Sequence, residues 1–537
     1  MADLFDGYPQ GPAWDEMFDG DGAVRPALVD VHAVLAQTLP GDLQARADTL
    51  ARAYLDQGVT FDVGGEERPF PLDIVPRVVD AADWDVIERG VRQRVRVLEA
   101  FLADVYDAGL AFRDGILPRS LLMSSVHFHR AVADIKPPLG VRVHVAGIDL
   151  VRDTGGVFRV LEDNVRVPSG VSYVMTNRSA MASVLPEVFA QHRITPVGEY
   201  PRRLLSALRA CAPPGVTDPT VVVLTPGVFN SAYFEHALLA RTMGIELVDG
   251  SDLVCRSGRV MMRTTAGLRP VDVIYRRVDD EFLDPVHFRE DSMLGCPGII
   301  NAARAGKVTI ANAVGNGVAD DKLVYTYVPD LTRYYLAEEP ILPNVTTWRL
   351  EEPHALEEVL DRLAELVVKP VDGSGGKGIV IGPQSDEAEL NAARMRLLEN
   401  PRGWIAQPLV QLSTVPTLVG ERLEPRHVDL RPFAVNDGSE VFVLPGGLTR
   451  VALGRGELVV NSSRGGGSKD TWVLEPEAHA SWLDREPRDS DRPMQPPVVV
   501  PRGIRPGDSR TDQQQQQQQE GGAGPERDAG DPGDDGC

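Results

Sequence analysis

The sequence predicts a protein of mixed class, α/β in one stretch and α+β in another, on three observations. Residues 201–318 alternate apolar runs with helical periodicity: Val221–Leu224 reads as a strand, 232–243 as a helix, 245–248 and 271–276 as strands. That alternation is the pattern of an open α/β domain. Residues 319–474 hold several short strand-like runs around a glycine-rich turn, which is α+β patterning. Residues 1–140 are expected to be mainly helical. Over 81–109, Trp84, Ile87, Val91, Val95, Leu98, Leu102 and Val105 recur at steps of three and four, a stripe that predicts core packing and nothing more.

Residues 141–200 complete the expected core with two strands around the turn Asp153-Thr154-Gly155-Gly156, followed by a helix. From 475 to 537 the chain turns to Pro, Asp, Arg and Gly, with an unbroken glutamine run at 513–519. Such a tail cannot bury a core and is predicted to be disordered. At 537 residues, 43% hydrophobic and 25% charged, the chain has the composition of a globular protein with room for two or three domains. A formal net charge of −23 argues against general nucleic-acid binding and against an anionic membrane surface, although part of that acidity lies in the tail. The four cysteines (Cys211, Cys255, Cys296, Cys537) lack metal-ligand spacing and suit a reducing compartment. The acidic N-terminus has no apolar signal core and no later run is long enough to span a bilayer, so the expected location is the cytoplasm.

Two constellations carry chemistry. The first is LVVKPVDGSGGKGIVIG at 366–382, a strand–turn–strand unit whose glycines can bring backbone N–H groups against phosphate oxygens while Lys369 and Lys377 add charge. It is not a Walker loop, because Gly378 rather than Ser or Thr follows Lys377 and no helix is expected next. An ordinary β-hairpin turn would also explain its glycines. The second is the hairpin at 141–170. If it turns about Thr154-Gly155, residue 149 lies opposite 160, and parity puts Asp149, Glu162 and Asn164 on one face, Glu162 diagonal to Asp149. Two carboxylates and an amide oxygen are hard ligands suited to Mg²⁺ held together with nucleotide phosphates; Asp163 points the other way.

Together these residues resemble the circularly permuted ATP-grasp proteins of type 2, related to the glutathionylspermidine synthase branch. An ordinary ATP-grasp chain places the magnesium site after its two nucleotide lysines. Here the acid–strand–turn–strand–Glu-x-Asn arrangement comes first and the lysines follow. The resemblance covers most of 60–474 and is strongest at 161–173, 275–285, 320–325, 367–378 and 461–472. It implies a permuted ATP-grasp core split between 141–200 and 319–474, with an inserted pre-ATP-grasp-like α/β domain at 201–318. It assigns Asp149, Glu162 and Asn164 as Mg²⁺ ligands, Lys322 and Lys369 as the nucleotide lysines, and Gly373, Ser374, Gly375, Gly376 and Gly378 as the loop over the ATP phosphates. Gln407 falls where adenine contacts are supplied. The family's arginine two residues before the first acidic ligand is absent, its place taken by Gly147, which leaves either reduced activity or an arginine supplied from elsewhere.

Downstream, strand alternation puts Asp429 and Arg431 on one face; Arg431 and Arg450 are the candidate guanidiniums for charge developing on a phosphate, with an internal Asp–Arg pair as the plainer reading. Residues 461–470 read as a long glycine-dense loop that folds over the site. Thr225-Pro226-Gly227 could aim a helix N-terminus at a substrate carboxylate, and Arg276-Arg277 either receive an acidic substrate or lie on an exposed edge. His127 and His129 share a strand face without a third ligand and read as structural. The implied activity is an ATP- and Mg²⁺-dependent carboxylate–amine or peptide ligase working through an acyl phosphate. The alternatives are a nucleotide-binding regulatory or scaffold protein with little turnover, or a phosphotransferase using the same Mg·ATP site.

Overall fold

The computed structural model describes residues 4–56, 58–63, 66–191, 193–371, 378–458, 460, 466–475 and 513–514. The turn residues Gly373, Ser374, Gly375 and Gly376 lie outside the described residues, as does the tail from 476 onward apart from Gln513 and Gln514. Among the described residues no helix is long and apolar enough to cross a membrane.

A nine-stranded sheet organises the chain. Its main path runs Val441–Val443, Phe433–Asn436, Val145–Arg152, Arg422–Arg431, Leu448–Val451, Gly467–Val473 and Leu72–Val79, with Phe158–Asn164 hairpinned onto Val145–Arg152 and Thr414–Val419 onto Arg422–Arg431. Every pairing in it is antiparallel except the last, where Gly467–Val473 runs parallel to Leu72–Val79. The 1–140 stretch, expected to be mainly helical, therefore contributes a strand to the central sheet. Its Ile74-Val75 and Val78-Val79 pairs are β-branched and buried, which favours a strand with both faces covered.

The expected loop at 461–470 is also corrected in part. Residues 461–465 lie outside the described residues, but Gly467–Val473 is a fully buried strand. Its polar side chains are internal struts. Lys469 Nζ pairs with Asp73 and donates to the carbonyls of Val75 and Pro416, both at 3.0 Å. Asp470 accepts from Arg178 at 2.9 Å and from the Trp472 indole at 2.6 Å. A Gly/Ser/Lys/Asp composition looks like a solvated loop only when those partners are invisible.

The α/β stretch forms a four-stranded parallel sheet in the order Thr309–Ala311, Val273–Arg276, Val221–Leu224, Glu246–Val248, with the helix Tyr233–Met243 between the first two strands in sequence. Residues 253–270 add a small antiparallel sheet that the sequence did not suggest, Leu253–Arg256, Arg259–Thr264 and Gly267–Pro270. A further sheet, antiparallel, runs Trp348–Arg349, Trp404–Pro408, Leu366–Pro370, Val380–Ile381 and buries Val359, Leu366, Val368, Leu397 and Ala406 with the helices Pro353–Asp361 and Glu387–Glu399. His127 and His129 lie in a turn rather than on a strand; His129 Nε2 stands 3.5 Å from Asp280, and burial drives His127 down to about 3.

The long helix Ala81–Val105 packs its predicted stripe against the central sheet and the helix Lys322–Leu336. It is capped by Asp80, whose carboxylate accepts from Asp83 N at 2.7 Å. Gly90 sits on its buried side, where a β-carbon would lie 2.4 Å from Leu342 Cγ and 2.6 Å from its Cδ1. Gly90→Ala gains roughly 1 kcal/mol of helix propensity and loses about 1–3 kcal/mol to overpacking. The expected result is a lower urea midpoint than wild type, while the same substitution in a Leu342→Ala background raises the midpoint. A stabilising Gly90→Ala in the wild-type background would show that this contact yields freely.

Candidate active site

The hairpin that carries the acidic residues has a one-residue irregularity. Asp149 pairs with Glu162 but Leu150 pairs with Val160, so Leu161 is the extra residue of a bulge on the return strand. Glu162 therefore stands directly across from Asp149 instead of diagonal to it, and Asn164 stands across from Gly147. All three predicted ligands share one face. Asp163 points to the other and is locked there by Arg94, whose Nη2 donates at 2.8 Å.

Asp149 is 1% exposed. Arg431 grips both its oxygens, Nη2 donating to Oδ2 at 2.8 Å, and Arg450 Nη2 donates to the same oxygen at 2.7 Å. Burial opposes its charge, but the two guanidiniums win and hold the carboxyl well below the usual range. Arg450 is tied in turn to Asp429, directly across the sheet, with Nε at 2.9 Å from Oδ1. Asp429 and Arg431 share a face as expected but do not pair with each other: Asp429 pairs with Arg450 and Arg431 with Asp149. Arg431 lies beside Gly147: a β-carbon there would meet Arg431 Cδ at 3.2 Å and Pro168 Cβ at 3.1 Å. Glycine leaves room for the Arg431 side chain, arriving from another strand, to cross to Asp149.

The lysines approach from the sheet that contains Leu366–Pro370 and from the helix Lys322–Leu336, which packs against Ala81–Val105 and Phe158–Asn164. Lys322 opens the helix Lys322–Leu336, capped by Asp321, and its Nζ donates to Val371 O at 3.5 Å just past the Lys369 strand. Lys369 is half-buried on Leu366–Pro370; desolvation brings it down to about 8, against the upward pull of Glu162 and Asp149. Glu162 acts on Lys322 in the same sense. Arg431, Arg450, Lys322 and Lys369 thus gather around Asp149, Glu162 and Asp429. Gly378 returns from the turn at φ 72°, a left-handed conformation that favours glycine. Gln407 shares the Lys369 face, since Val367 pairs with Gln407 and Lys369 with Ile405. It is 2% exposed, and its amide donates to Thr347 Oγ1 at 3.0 Å.

Glu162 and Asn164 can offer oxygens to a hard divalent cation, whereas both Asp149 oxygens are taken by Arg431 and Arg450. Glu162 keeps a 39% exposed side chain with Arg431 no nearer than 3.8 Å, Asp149 stands directly across the strand pair, and the buried Asn164 Nδ2 has no hydrogen-bond partner. An amide not tied down by its donor can turn its oxygen toward an ion.

Residues that the sequence did not mark hold these parts in place. Asp320 accepts from Arg166 Nε at 2.8 Å and from Val165 N at 2.5 Å, fastening the turn after Asn164 to the segment before Lys322. Asn312 accepts from His144 N and Val145 N and donates to the carbonyls of Val145 and Val165, all at 2.7–2.8 Å, bracing both ends of the hairpin. Glu235 accepts from Gly170 N at 2.8 Å and Ser172 N at 3.0 Å, placing a carboxylate at the N-terminus of the helix Val171–Val184, and pairs with Arg277 at 3.1 Å. Arg277 also donates to Ser169 Oγ at 2.6 Å, and Arg276 to the carbonyls of Asn312 and Val278. Both arginines are buried, so neither lies on an exposed edge. Thr225-Pro226-Gly227 precedes the helix Tyr233–Met243 by a turn and does not form its N-terminus. Local sequence offers no signal for these ties, because each joins segments far apart in the chain.

The sequence pattern of the family described as circularly permuted ATP-grasp type 2 matches residues 76–452. An uncharacterized protein of Mycobacterium tuberculosis (strain ATCC 25618 / H37Rv) is 58% identical over 515 residues, 94% of each chain. An uncharacterized protein of Synechocystis sp. is 50% identical over 475 residues, 87% of this chain and 98% of the relative. A Frankia casuarinae protein provisionally named glutamate–cysteine ligase 2-2 is 47% identical over 471 residues, 86% of this chain but only 54% of that protein. Among solved structures, a glutathione synthetase-like effector from Globodera pallida in apo form is similar in fold, with a TM-score of 0.51 at 12% identity over 82% of this chain and 98% of that one. Matched in sequence from 76 to 452 and similar in fold to a glutathione synthetase-like protein, the chain belongs to the circularly permuted ATP-grasp type 2 family.

Proposed function

We propose that this chain is an ATP- and Mg²⁺-dependent ligase that joins a carboxylate to an amine through an acyl phosphate. The observation that carries the reading is the convergence of Asp149, Glu162, Lys322, Lys369 and Arg431, drawn from four separated stretches of sequence, on one place. The Frankia relative's name, that of a ligase joining glutamate and cysteine, agrees with this class of reaction.

In this reading Lys322 and Lys369 bind the phosphate chain from the helix start and the strand, with Gly373, Ser374, Gly375, Gly376 and Gly378 covering it and Gln407 beside the adenine. Glu162 and Asn164 would hold Mg²⁺, which when bound neutralises phosphate oxygens. Arg431, reaching in where Gly147 leaves space, meets the charge that develops as a substrate carboxylate oxygen attacks the γ-phosphorus and ADP leaves. The amine nitrogen then attacks the acyl carbon, phosphate departs, and the nitrogen loses a proton to give the amide. Arg450, bound to both Asp149 and Asp429, acts as a positioning residue that fixes the carboxylate Arg431 also holds.

The test is ADP release by the purified chain with Mg·ATP and paired pools of carboxylic acids and amines. Stimulation by an acid–amine pair is expected, with Glu162→Ala and Lys369→Ala each reducing the rate about 10²–10³-fold, the scale of one lost electrostatic contact to a transition state. ATP binding without turnover under every pool would favour a regulatory protein, and a phosphorylated product without an amide would make it a phosphotransferase.

Lys369 gives a pH signature. Its ammonium, set at about 8, is charged below that pH and loses its charge above it, so nucleotide affinity is expected to weaken as pH rises from 7 to 9. Lys369→Arg keeps its charge throughout and flattens the profile. Titration of a fluorescent ATP analogue across this range checks it; a flat wild-type profile would remove Lys369 from the phosphate site.

A further inference from the structure

The open α/β domain carries a second binding place that the ligase reading does not use. Its strand order puts Val221–Leu224 and Val273–Arg276 side by side at the centre, with their following chains leaving in opposite directions. The crevice beyond the carboxyl ends of two such strands is where open α/β sheets bind ligands. Against the chain that leaves the carboxyl end of Val221–Leu224 lies Gln514, with Gln513 beside it, 5% and 4% exposed.

The contacts are chemically selective. The Gln513 carboxamide accepts from Met293 N at 2.8 Å and donates to Asp291 O at 2.8 Å. A backbone donor and a backbone acceptor fix which end is oxygen and which nitrogen, and a glutamate could satisfy only the first. Gln514 Oε1 accepts from Phe229 N at 3.2 Å, and its backbone carbonyl accepts from Asn230 Nδ2, also at 3.2 Å. The Gln514 carboxamide lies where a side chain on Gly227 would stand, 2.4 Å from the position of a β-carbon. Asn230 meanwhile uses its own oxygen to accept from Ala232 N at 3.0 Å, so its amide is oriented before the glutamine arrives.

We propose that the cleft formed by Gly227–Asn230 and Asp291–Met293 is a peptide-binding subsite that reads side-chain carboxamides, and that its resident ligand is the chain's own glutamine run. A run of identical residues presents the same pair in several registers, which raises the chance of occupancy without requiring one fixed path through the rest of the tail.

The test compares hydrogen–deuterium exchange in the full-length protein and in a Gln513→Ala/Gln514→Ala variant. The amides of Phe229 and Met293 are expected to exchange about tenfold faster in the variant, with the central sheet unchanged. Adding a free peptide of residues 509–521 is expected to restore their protection, and the same peptide with every glutamine replaced by glutamate is not. Asn230→Asp, which keeps the acceptor for Ala232 N and loses the donor to Gln514, is expected to weaken the protection as well. Unaltered exchange in the double variant, or equal rescue by the glutamate peptide, would overturn the proposal. The readout needs no nucleotide turnover, so it stands or falls separately from the ligase activity.

Discussion

Two guanidiniums, separated from Asp149 by 282 and 301 positions in sequence, meet on its buried carboxylate. A buried charge left without a partner costs about 3–5 kcal/mol, so the hairpin that bears Asp149 and Glu162 is stable in its buried position only when the strands of Arg431 and Arg450 lie beside it. The requirement propagates outward. Arg450 must be balanced by Asp429, and Arg77 donates to Asp429 O at 3.0 Å while also pairing with Glu16 at 2.6 Å. Glu16 also pairs with Arg152 at 2.9 Å, at the far end of the same strand as Asp149. The N-terminal segment, the strand Leu72–Val79 and the strands of Asp149, Asp429 and Arg450 are therefore joined under the site by ion pairs and by the hydrogen bond from Arg77 to the Asp429 carbonyl.

Much of this site was legible because strands alternate. Parity alone put Asp149, Glu162 and Asn164 on a common face, Asp163 on the other and Asp429 beside Arg431. Parity could not reveal the bulge at Leu161, since one inserted residue changes who stands opposite whom while leaving each short segment well patterned. The direct Asp149–Glu162 pairing is a property of the folded hairpin and has no local signature. The strand Leu72–Val79 is hard to see in the sequence because helical signals dominate its surroundings and its pairing partner lies about 390 residues further on.

The struts were harder still. Asn312, Asp320 and Glu235 each satisfy backbone groups on segments remote in sequence, and an isolated polar residue in a loop looks the same whether its partner is water or a buried N–H. Gly467–Val473 is the sharpest case, since its lysine, aspartate and serine carry the composition of a surface loop and the burial of a core strand. What separates the two is a set of complementary groups on Arg178, Asp73 and the neighbouring carbonyls.

The parallel pairing of Leu72–Val79 with Gly467–Val473 bears on how the chain is made. On the ribosome the first strand and the Asp149 hairpin emerge long before either arginine that neutralises the hairpin or the strand that completes the sheet. The nascent chain must carry an unneutralised carboxylate and an open strand edge through most of its synthesis. Closure of the central sheet must therefore wait until residues 467–473 have emerged, and exposure of that edge to chaperones or to other chains is greatest in the interval before that strand arrives.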